Sequence, residues 1–259
     1  MKYLILGLPV IALSGCAWMG PSSSTYHGQA HNNSYYPSHV SQYAAPSRTH
    51  LELSVGATEF RGGNVLPTLR DGNGLATNKV SYRDAYKTGI RTSAGIEHDV
   101  ASRTTLLARG FYKKAEANDT IFDLGAGDGG VQRFGGFSDY QSYGGEIGFR
   151  EYLNNEGRGI RPYIGATAGA AYAEAIDIVR LSSDGDADAT ATSRLYDGDW
   201  VPTASAVVGV DLPLSRNASF GIESGLRYEG KRDIQIGSNL GKGDDNYSVP
   251  LKLRGRFRF

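Results

Sequence analysis

The amino-acid sequence predicts an all-β protein, an eight-stranded antiparallel up-and-down transmembrane β-barrel preceded by a disordered N-terminal tether. Three observations predict it: alternation of apolar and polar residues with a period of two, a regular succession of long and short connections, and aromatic residues collected at one end of the apolar faces. The composition agrees, because 35 of the 259 residues are glycine and glycine is unfavourable in helix interiors.

The alternating runs are the predicted strands. They cover about residues 49–60, 83–98, 103–116, 139–153, 160–173, 199–212, 217–230 and 246–259. The connections at 61–82, 117–138, 174–198 and 231–245 are long, and those at 99–102, 154–159 and 213–216 are short. Outer-membrane barrels have long loops outside the cell and short turns on the periplasmic side, and an even strand number returns both ends to one side.

The last predicted strand, Asn246 to Phe259, has two unlike faces. Its cations lie on one face, and the other face is formed by Tyr247, Val249, Leu251, Leu253, Gly255, Phe257 and Phe259. A slip of one residue would turn Arg254 toward the bilayer, which costs about 2–4 kcal/mol near its midplane. The register of this strand is therefore strongly determined.

Aromatic residues mark one level on the predicted apolar face, at the long-connection end. They are Tyr86, Tyr112, Tyr143, Tyr172, Trp200, Tyr228 and Tyr247. Such girdles lie where lipid meets water, because the ring body is apolar while its O–H or N–H stays hydrated. The girdle favours a membrane barrel over the main alternative, a soluble, lipid-anchored, lipocalin-like barrel that binds a small apolar ligand.

Charged residues occupy the opposite, inward face. The predicted lumen charges are Arg91, Glu97, Arg109, Glu146, Arg150, Glu223, Arg227, Lys252, Arg254 and Arg256. Both signs occur, so buried charges can pair. Because side chains about fill the interior of an eight-stranded barrel, we expect a plugged lumen rather than a channel.

The N-terminus has the features of a secreted lipoprotein. The first residues are typical of a signal peptide, because a basic residue is followed by the apolar run Tyr3–Leu13 and then by small residues. Leu13-Ser14-Gly15-Cys16 is similar to the bacterial lipobox, and the resemblance implies cleavage before Cys16 and acylation of that residue. With Ala17 next, it also implies transfer to the outer membrane. The predicted organisation is a signal peptide at 1–15, a lipidated flexible periplasmic linker at 16–48 and the barrel at 49–259.

The body resembles small outer-membrane β-barrel proteins of the OmpA-transmembrane and opacity-protein type. The resemblance rests on the segments Arg161-Pro162-Tyr163-Ile164-Gly165-Ala166 and Val249 to Phe259. It implies Phe259 as the insertion signal for the barrel-assembly machinery, and outer-membrane lipids and lipopolysaccharide as surroundings. It also implies a Gram-negative outer-membrane location and a structural or surface role, with a host or envelope partner contacting the long loops.

Other motifs are weaker. Ile121 to Gly129 matches the first motif of S-adenosylmethionine-dependent methyltransferases, but no amphipathic helix follows, so a surface loop is favoured. Asp184, Asp186 and Asp188 resemble the start of a calcium loop, but Leu195 stands where that loop requires glutamate. We therefore predict neither a cofactor nor a metal site, and the formal net charge of zero excludes a broad nucleic-acid interface.

A lipid A-modifying barrel enzyme is the remaining functional alternative. Such an enzyme needs a nucleophile and a base within reach of each other. His98 is the candidate base within the strands, and no Ser/His/acid arrangement is evident around it. We therefore predict that the protein is not an enzyme.

Overall fold

The computed structural model describes residues 48–67, 79–118, 122–126, 132–154, 159–181, 187–235 and 242–259. The predicted signal peptide, the lipobox with Cys16 and the linker up to residue 47 lie outside this part of the chain. Their predictions remain as stated above.

The predicted eight-stranded antiparallel barrel is confirmed. In the closed sheet the strand order is β1-β14-β13-β12-β9-β8-β5-β4, and β1 closes the barrel by pairing with both β14 and β4. The elements in chain order are β1 (Thr49–Gly62), β2 (Asn64–Leu66), β3 (Val80–Ser81), α1 (Tyr82–Ala85), β4 (Gly89–Asp99), β5 (Thr104–Ala115), β6 (Phe122–Ala126), β7 (Gln132–Phe137), β8 (Tyr140–Tyr152), β9 (Arg161–Ala173), β10 (Ile176–Leu181), β11 (Ala187–Tyr196), β12 (Asp199–Pro213), β13 (Ala218–Glu229) and β14 (Asn246–Arg258).

The two faces of each barrel strand differ as the alternation predicts, and β14 shows this clearly. Leu251 and Leu253 point outward and are 57% and 47% exposed, whereas Lys252 and Arg254 point inward and are each 2% exposed. In the register of the sheet, Leu253 lies beside Val55 of β1 and Ile222 of β13, so the outward residues form a continuous apolar surface.

The predicted second strand starts too early. Residues Tyr82–Ala85 form α1, whose N-terminus is capped by the side chain of Ser81 accepting a hydrogen bond from the Asp84 backbone N–H. This capping explains the error, because Ser and Asp near a helix start favour a helical turn over the extended chain. β4 begins only at Gly89, so Tyr86 lies before this strand and not on the outer face of the barrel. No helix in the described residues is long and apolar enough to cross a membrane.

Two of the long connections contain a second sheet that the sequence did not predict. Its strand order is β11-β10-β7-β6, so one hairpin from the β5–β8 connection pairs with one from the β9–β12 connection. Within the methyltransferase-like motif, Phe122–Ala126 form β6, and the next described element is the strand β7 instead of a helix. The segment that was predicted to be a surface loop is thus partly a β-strand. Asp184 and Asp186 lie outside the described residues, and Asp188 falls in β11.

An apolar cluster joins all four long connections above the barrel, and we call it the cap. Its buried side chains come from the end of β1, from β2, β3, α1, β10 and β11, and from residues near the ends of β5, β7 and β8. The largest are Phe60, Leu66, Tyr82, Tyr86, Phe137, Tyr140, Ile176, Ile178, Leu195, Tyr196 and Ile234. The long connections were expected to be surface loops, and their shared apolar core was not predicted from the sequence.

Inward-facing glycines allow the strands to approach closely, as Gly144 of β8 shows. A Cβ atom at Gly144 would overlap the carbonyl oxygen of Ala170 and lie 2.7 Å from the Cα of Ala171 on β9. The adjacent Gly145 faces outward, and a Cβ there would meet nothing closer than the Arg109 carbonyl oxygen at 3.9 Å.

We therefore predict that Gly144→Ala destabilises the folded barrel by about 1–3 kcal/mol, the usual cost of overpacking. The matched variant Gly145→Ala is expected to stay within about 0.5 kcal/mol of the wild type, as surface changes do. Urea titration of the refolded barrel in lipid vesicles measures both values. Equal destabilisation by the two variants would contradict the assigned faces.

Candidate functional site

The lumen contains a network of charged side chains, and Arg150 of β8 is one of its centres. Its Nη1 lies 2.6 Å from Glu52 Oε2 and also contacts Glu97, while its Nη2 lies 2.8 Å from Glu223 Oε2. These carboxylates come from β1, β4 and β13. One guanidinium therefore connects four strands of the barrel across its interior.

Glu146, also on β8, is the second centre. Its carboxylate accepts hydrogen bonds from Arg91 Nη2 at 3.0 Å and from Arg109 Nε at 3.1 Å, and it also contacts Arg227. Arg109 in turn reaches Glu52 at 3.3 Å, which joins this centre to the one around Arg150. The two centres therefore form one connected network in which each carboxylate has several cationic partners.

The network continues toward both ends of the lumen. At the long-connection end, Glu229 accepts hydrogen bonds from Lys113 Nζ at 3.0 Å and from the Tyr140 hydroxyl at 2.5 Å, and Tyr140 belongs to the cap. At the short-turn end, Arg254 contacts Glu97 and Asp211. The ionic interior and the apolar cap are thus directly connected.

The structure brings all of the predicted lumen charges together. Arg91, Glu97, Arg109, Glu146, Arg150, Glu223, Arg227, Lys252, Arg254 and Arg256 are all buried inside the barrel. Glu52, Lys113 and Asp211 are equally buried and were not predicted from the sequence. Period-two alternation was the available signal for Glu52, because it lies between the outward residues Leu51 and Leu53.

Inward aromatic residues complete the lining by facing the guanidinium groups. Phe111 contacts two of them, with Arg91 at 4.2 Å and Arg227 at 4.5 Å from its ring centroid. Arg161 lies 3.9 Å from the centroid of Tyr152. Such cation–π contacts explain why a residue as apolar as Phe111 is found among charges, since a ring face attracts a cation.

Six of the seven predicted girdle residues lie on the outer face near the long-connection ends of the strands, and one does not. Four of these residues are in register on neighbouring strands, namely Tyr112, Tyr143, Tyr172 and Trp200. The ring centroids of Tyr143 and Tyr172 are 5.5 Å apart, and those of Tyr172 and Trp200 are 5.8 Å apart. Tyr228 and Tyr247 form a second pair at 5.6 Å. Tyr86 does not belong to the girdle, because it is buried in the cap against Phe60 and Tyr82, where burial raises its pKa.

The described residues show no catalytic or metal-binding arrangement at His98. This residue lies on the outer face near the short turns, and its Nδ1 is 3.0 Å from Thr49 Oγ1. No group of three His, Cys, Asp or Glu side chains in the described part of the chain could hold a metal ion. Phe259, the predicted insertion signal, lies exposed at the same end as the first residues of β1.

The fold and its two faces define a β-barrel of the transmembrane type, with an apolar outer surface, an aromatic level and an ionic interior. No protein-family model matches the chain, and no curated protein matches it. Among solved structures it is similar to the outer membrane protein OprG from Pseudomonas aeruginosa, with 11% identity, a TM-score of 0.46, and coverage of 83% of this chain and 98% of that one.

Two further solved structures show similarity of the same kind. Neisserial surface protein A (NspA) has 12% identity, a TM-score of 0.41, and coverage of 83% of this chain and 99% of that one. The outer membrane protease OmpT from Escherichia coli has 11% identity, a TM-score of 0.42, and coverage of 83% and 97% respectively. The predicted barrel fold rests on the closed eight-stranded sheet, and these similarities say nothing about activity.

The network predicts a large effect of removing one buried carboxylate charge. Glu146→Gln keeps the side-chain shape but leaves Arg91, Arg109 and Arg227 with too little compensating charge, so we expect a loss of about 3–5 kcal/mol in unfolding free energy. Glu116→Gln is the matched control, because Glu116 forms an exposed ion pair with Lys87 at 3.9 Å worth at most about 1 kcal/mol. Urea titration in lipid vesicles compares them, and similar losses for both would show that the network does not stabilise the barrel.

Proposed function

We propose that the protein is an integral outer-membrane β-barrel lipoprotein of a Gram-negative bacterium, anchored by lipid on Cys16 from the periplasmic side. In this proposal its lumen is plugged, and its role is structural or interactive at the cell surface. The observation that carries the proposal is the arrangement of the two faces, which is the reverse of that in a soluble protein. Apolar side chains cover the outside of the closed barrel, and charged side chains occupy the inside.

This arrangement of the two faces favours the membrane barrel over a soluble lipocalin-like barrel. Ile90, Ile147 and Val208 are all well exposed on the outer face, and such a continuous apolar surface is unfavourable in water. A site for a small apolar ligand is lined mainly by apolar and aromatic side chains. The interior here consists of guanidinium and carboxylate groups bonded to one another, which does not suit such a ligand.

The plugged lumen is supported by the way the interior is occupied. Arg150 and Glu146 each bond to groups from opposite walls, and the cap lies over the long-connection end. Arg232 strengthens the cap, because its guanidinium lies 4.6 Å from the Tyr196 ring centroid and donates to the Glu174 carbonyl oxygen at 2.8 Å. Solute passage would require breaking both the network and the cap.

The proposed surface role rests on the long connections. They form a folded unit, since the Tyr196 hydroxyl donates to the Val65 carbonyl oxygen at 2.8 Å and β7 pairs with β10. Loops held on a rigid scaffold are common contact surfaces. We propose that this unit meets lipopolysaccharide and a host or envelope partner, while Phe259 at the other end serves the barrel-assembly machinery during insertion.

A non-enzymatic role is part of the proposal. It is supported by the position of His98, whose described polar neighbour is Thr49 and whose ring lies away from the aromatic level. Unchanged lipid A in mass spectra of cells overproducing the protein would be the expected result.

The test of the proposal separates the lipid anchor from the barrel. Cys16→Ser is expected to abolish labelling of the protein by radioactive palmitate, because the acylated thiol is gone. The variant is nevertheless expected to remain in the membrane pellet after alkaline carbonate extraction and to migrate faster before boiling than after it. Release of Cys16→Ser as a soluble folded protein would instead support the lipocalin-like alternative.

A second prediction concerns the lumen. The purified wild-type protein is expected to give no stable ion conductance in planar lipid bilayers, because side chains fill the interior. A general porin reconstituted in the same bilayers is the positive control. Reproducible single-channel steps from the wild-type protein would show that the lumen is open and would contradict the plugged state.

A further inference from the structure

The short-turn end of the barrel contains a small cavity that the proposed function does not use. Its volume is about 60 Å³, and it lies between the β12–β13 turn and the ends of β1, β9 and β14. A single buried water needs about 10–15 Å³ of such space. The cavity therefore has room for a group of several heavy atoms, the size of a small ion or one headgroup moiety.

Cationic groups dominate the lining of this cavity. The lining includes Arg161, Arg216, Arg256, Arg258 and His50, and Asp211 is its acidic residue. The carboxylate of Asp211 is already engaged, because it accepts hydrogen bonds from Arg254 and, at 2.7 Å, from the Tyr152 hydroxyl.

Two more carboxylates lie behind the lining, and the first is Glu97, whose Oε2 is 2.7 Å from Arg256 Nε. Asp99 Oδ2 is 3.7 Å from His50 Nε2, and the same carboxylate contacts Arg256. Asp99 and Glu97 together offset the charge of Arg256. In the lining itself, four arginines and His50 surround the cavity, against the one carboxylate of Asp211.

The cationic groups are held in position by the strands. His50 of β1 and Arg258 of β14 are paired in register, and so are Arg161 of β9 and Asp211 of β12. The imidazole of His50 lies between two arginines, with Nδ1 3.1 Å from Arg256 Nη2 and Nε2 3.1 Å from Arg258 Nε. The guanidinium groups on the strands are thus preorganised, and only Arg216 lies on the exposed turn.

We propose that this cavity binds a phosphate-type oxyanion. Guanidinium groups present parallel N–H donors that match the oxygen atoms of phosphate, and several of them around one cavity favour such a group over a neutral ligand. The oxyanion is either free phosphate or the phosphate of a phospholipid headgroup. A headgroup can reach the cavity because Leu214 and Phe257, both exposed and apolar, lie near the same rim.

The test uses the full-length protein in dodecyl maltoside, a detergent that contains no phosphate. Inorganic phosphate is titrated into the wild type, into Arg216→Gln/Arg258→Gln and into Arg103→Gln by isothermal titration calorimetry at low ionic strength. Arg103 is the matched control, because it lies at the same end of the barrel, pairs with Glu151 at 3.5 Å and does not line the cavity. Heat-modifiable migration verifies that each variant is folded.

We expect saturable binding to the wild type, binding at least about tenfold weaker in the double variant, equivalent to about 1.4 kcal/mol, and an affinity within about twofold of the wild type for Arg103→Gln. A second arm adds phosphatidylglycerol to the micelles and follows retained lipid by native mass spectrometry. Lipid that suppresses the phosphate signal and is retained by the wild type but not by the double variant identifies a headgroup. An unaffected phosphate titration identifies free phosphate.

Both of those outcomes support the site and differ only in the source of the oxyanion. The inference is wrong if neither phosphate binding nor lipid retention depends on Arg216 and Arg258, which includes the case in which neither ligand binds. This result would leave the proposed surface role untouched, because that role rests on the opposite end of the barrel.

Discussion

The pairing of arginines and carboxylates across the lumen is the interaction on which the rest of this barrel depends. An interior of eight strands is narrow enough to be filled by side chains, and here those side chains are mostly charged. Arg150 on β8 reaches Glu223 on β13, so the contact spans the cross-section instead of linking neighbours in the sheet. Such contacts fix the distance between opposite walls, which backbone pairing alone does not.

Charge compensation inside the barrel is a collective property. Glu146 contacts Arg91, Arg109 and Arg227, and none of these pairs is isolated from the others. Charges buried at this depth are costly unless they are compensated and hydrogen-bonded. A change at one carboxylate therefore affects several cations at once, and the faces of the inward aromatic rings, such as Phe111, provide the additional contacts that carboxylates do not.

Because charges occupy the interior, the apolar packing of this protein lies elsewhere. The outer face is apolar but exposed, and the main buried apolar cluster is the cap formed by the long connections. The tyrosines of the cap are suited to a boundary between apolar and ionic regions, since Tyr140 packs its ring against Phe60, with centroids 5.5 Å apart, while its hydroxyl reaches Glu229. Burial raises the pKa of Tyr82, so its phenol stays neutral there.

The sequence predicted the barrel well because alternation is a local property that each strand carries by itself. The inward position of Arg254 and the outward position of Leu253 follow from counting by two, and the structure agrees. Tyr86 was misplaced for the same reason, because counting back from Ile90 assumes an extended chain, whereas Ser81 and Asp84 start a helical turn. The cap could not be predicted, because Val65, Ile176 and Ile234 come from three different connections and only the closure of the barrel brings them together.

The two ends of the barrel differ in chemistry, and the charged side chains of the interior lie between them. At the long-connection end, aspartates such as Asp245 accept hydrogen bonds from the Tyr228 hydroxyl at 3.0 Å and from the Lys231 backbone at 3.1 Å, above an apolar cluster. At the short-turn end, arginines surround an open cavity. A ligand at either end can influence the other only by displacing charges such as Glu97, which bonds to Arg150 and Arg254 together. Because each displaced charge would lose several partners, a change in occupancy at one end is expected to remain local.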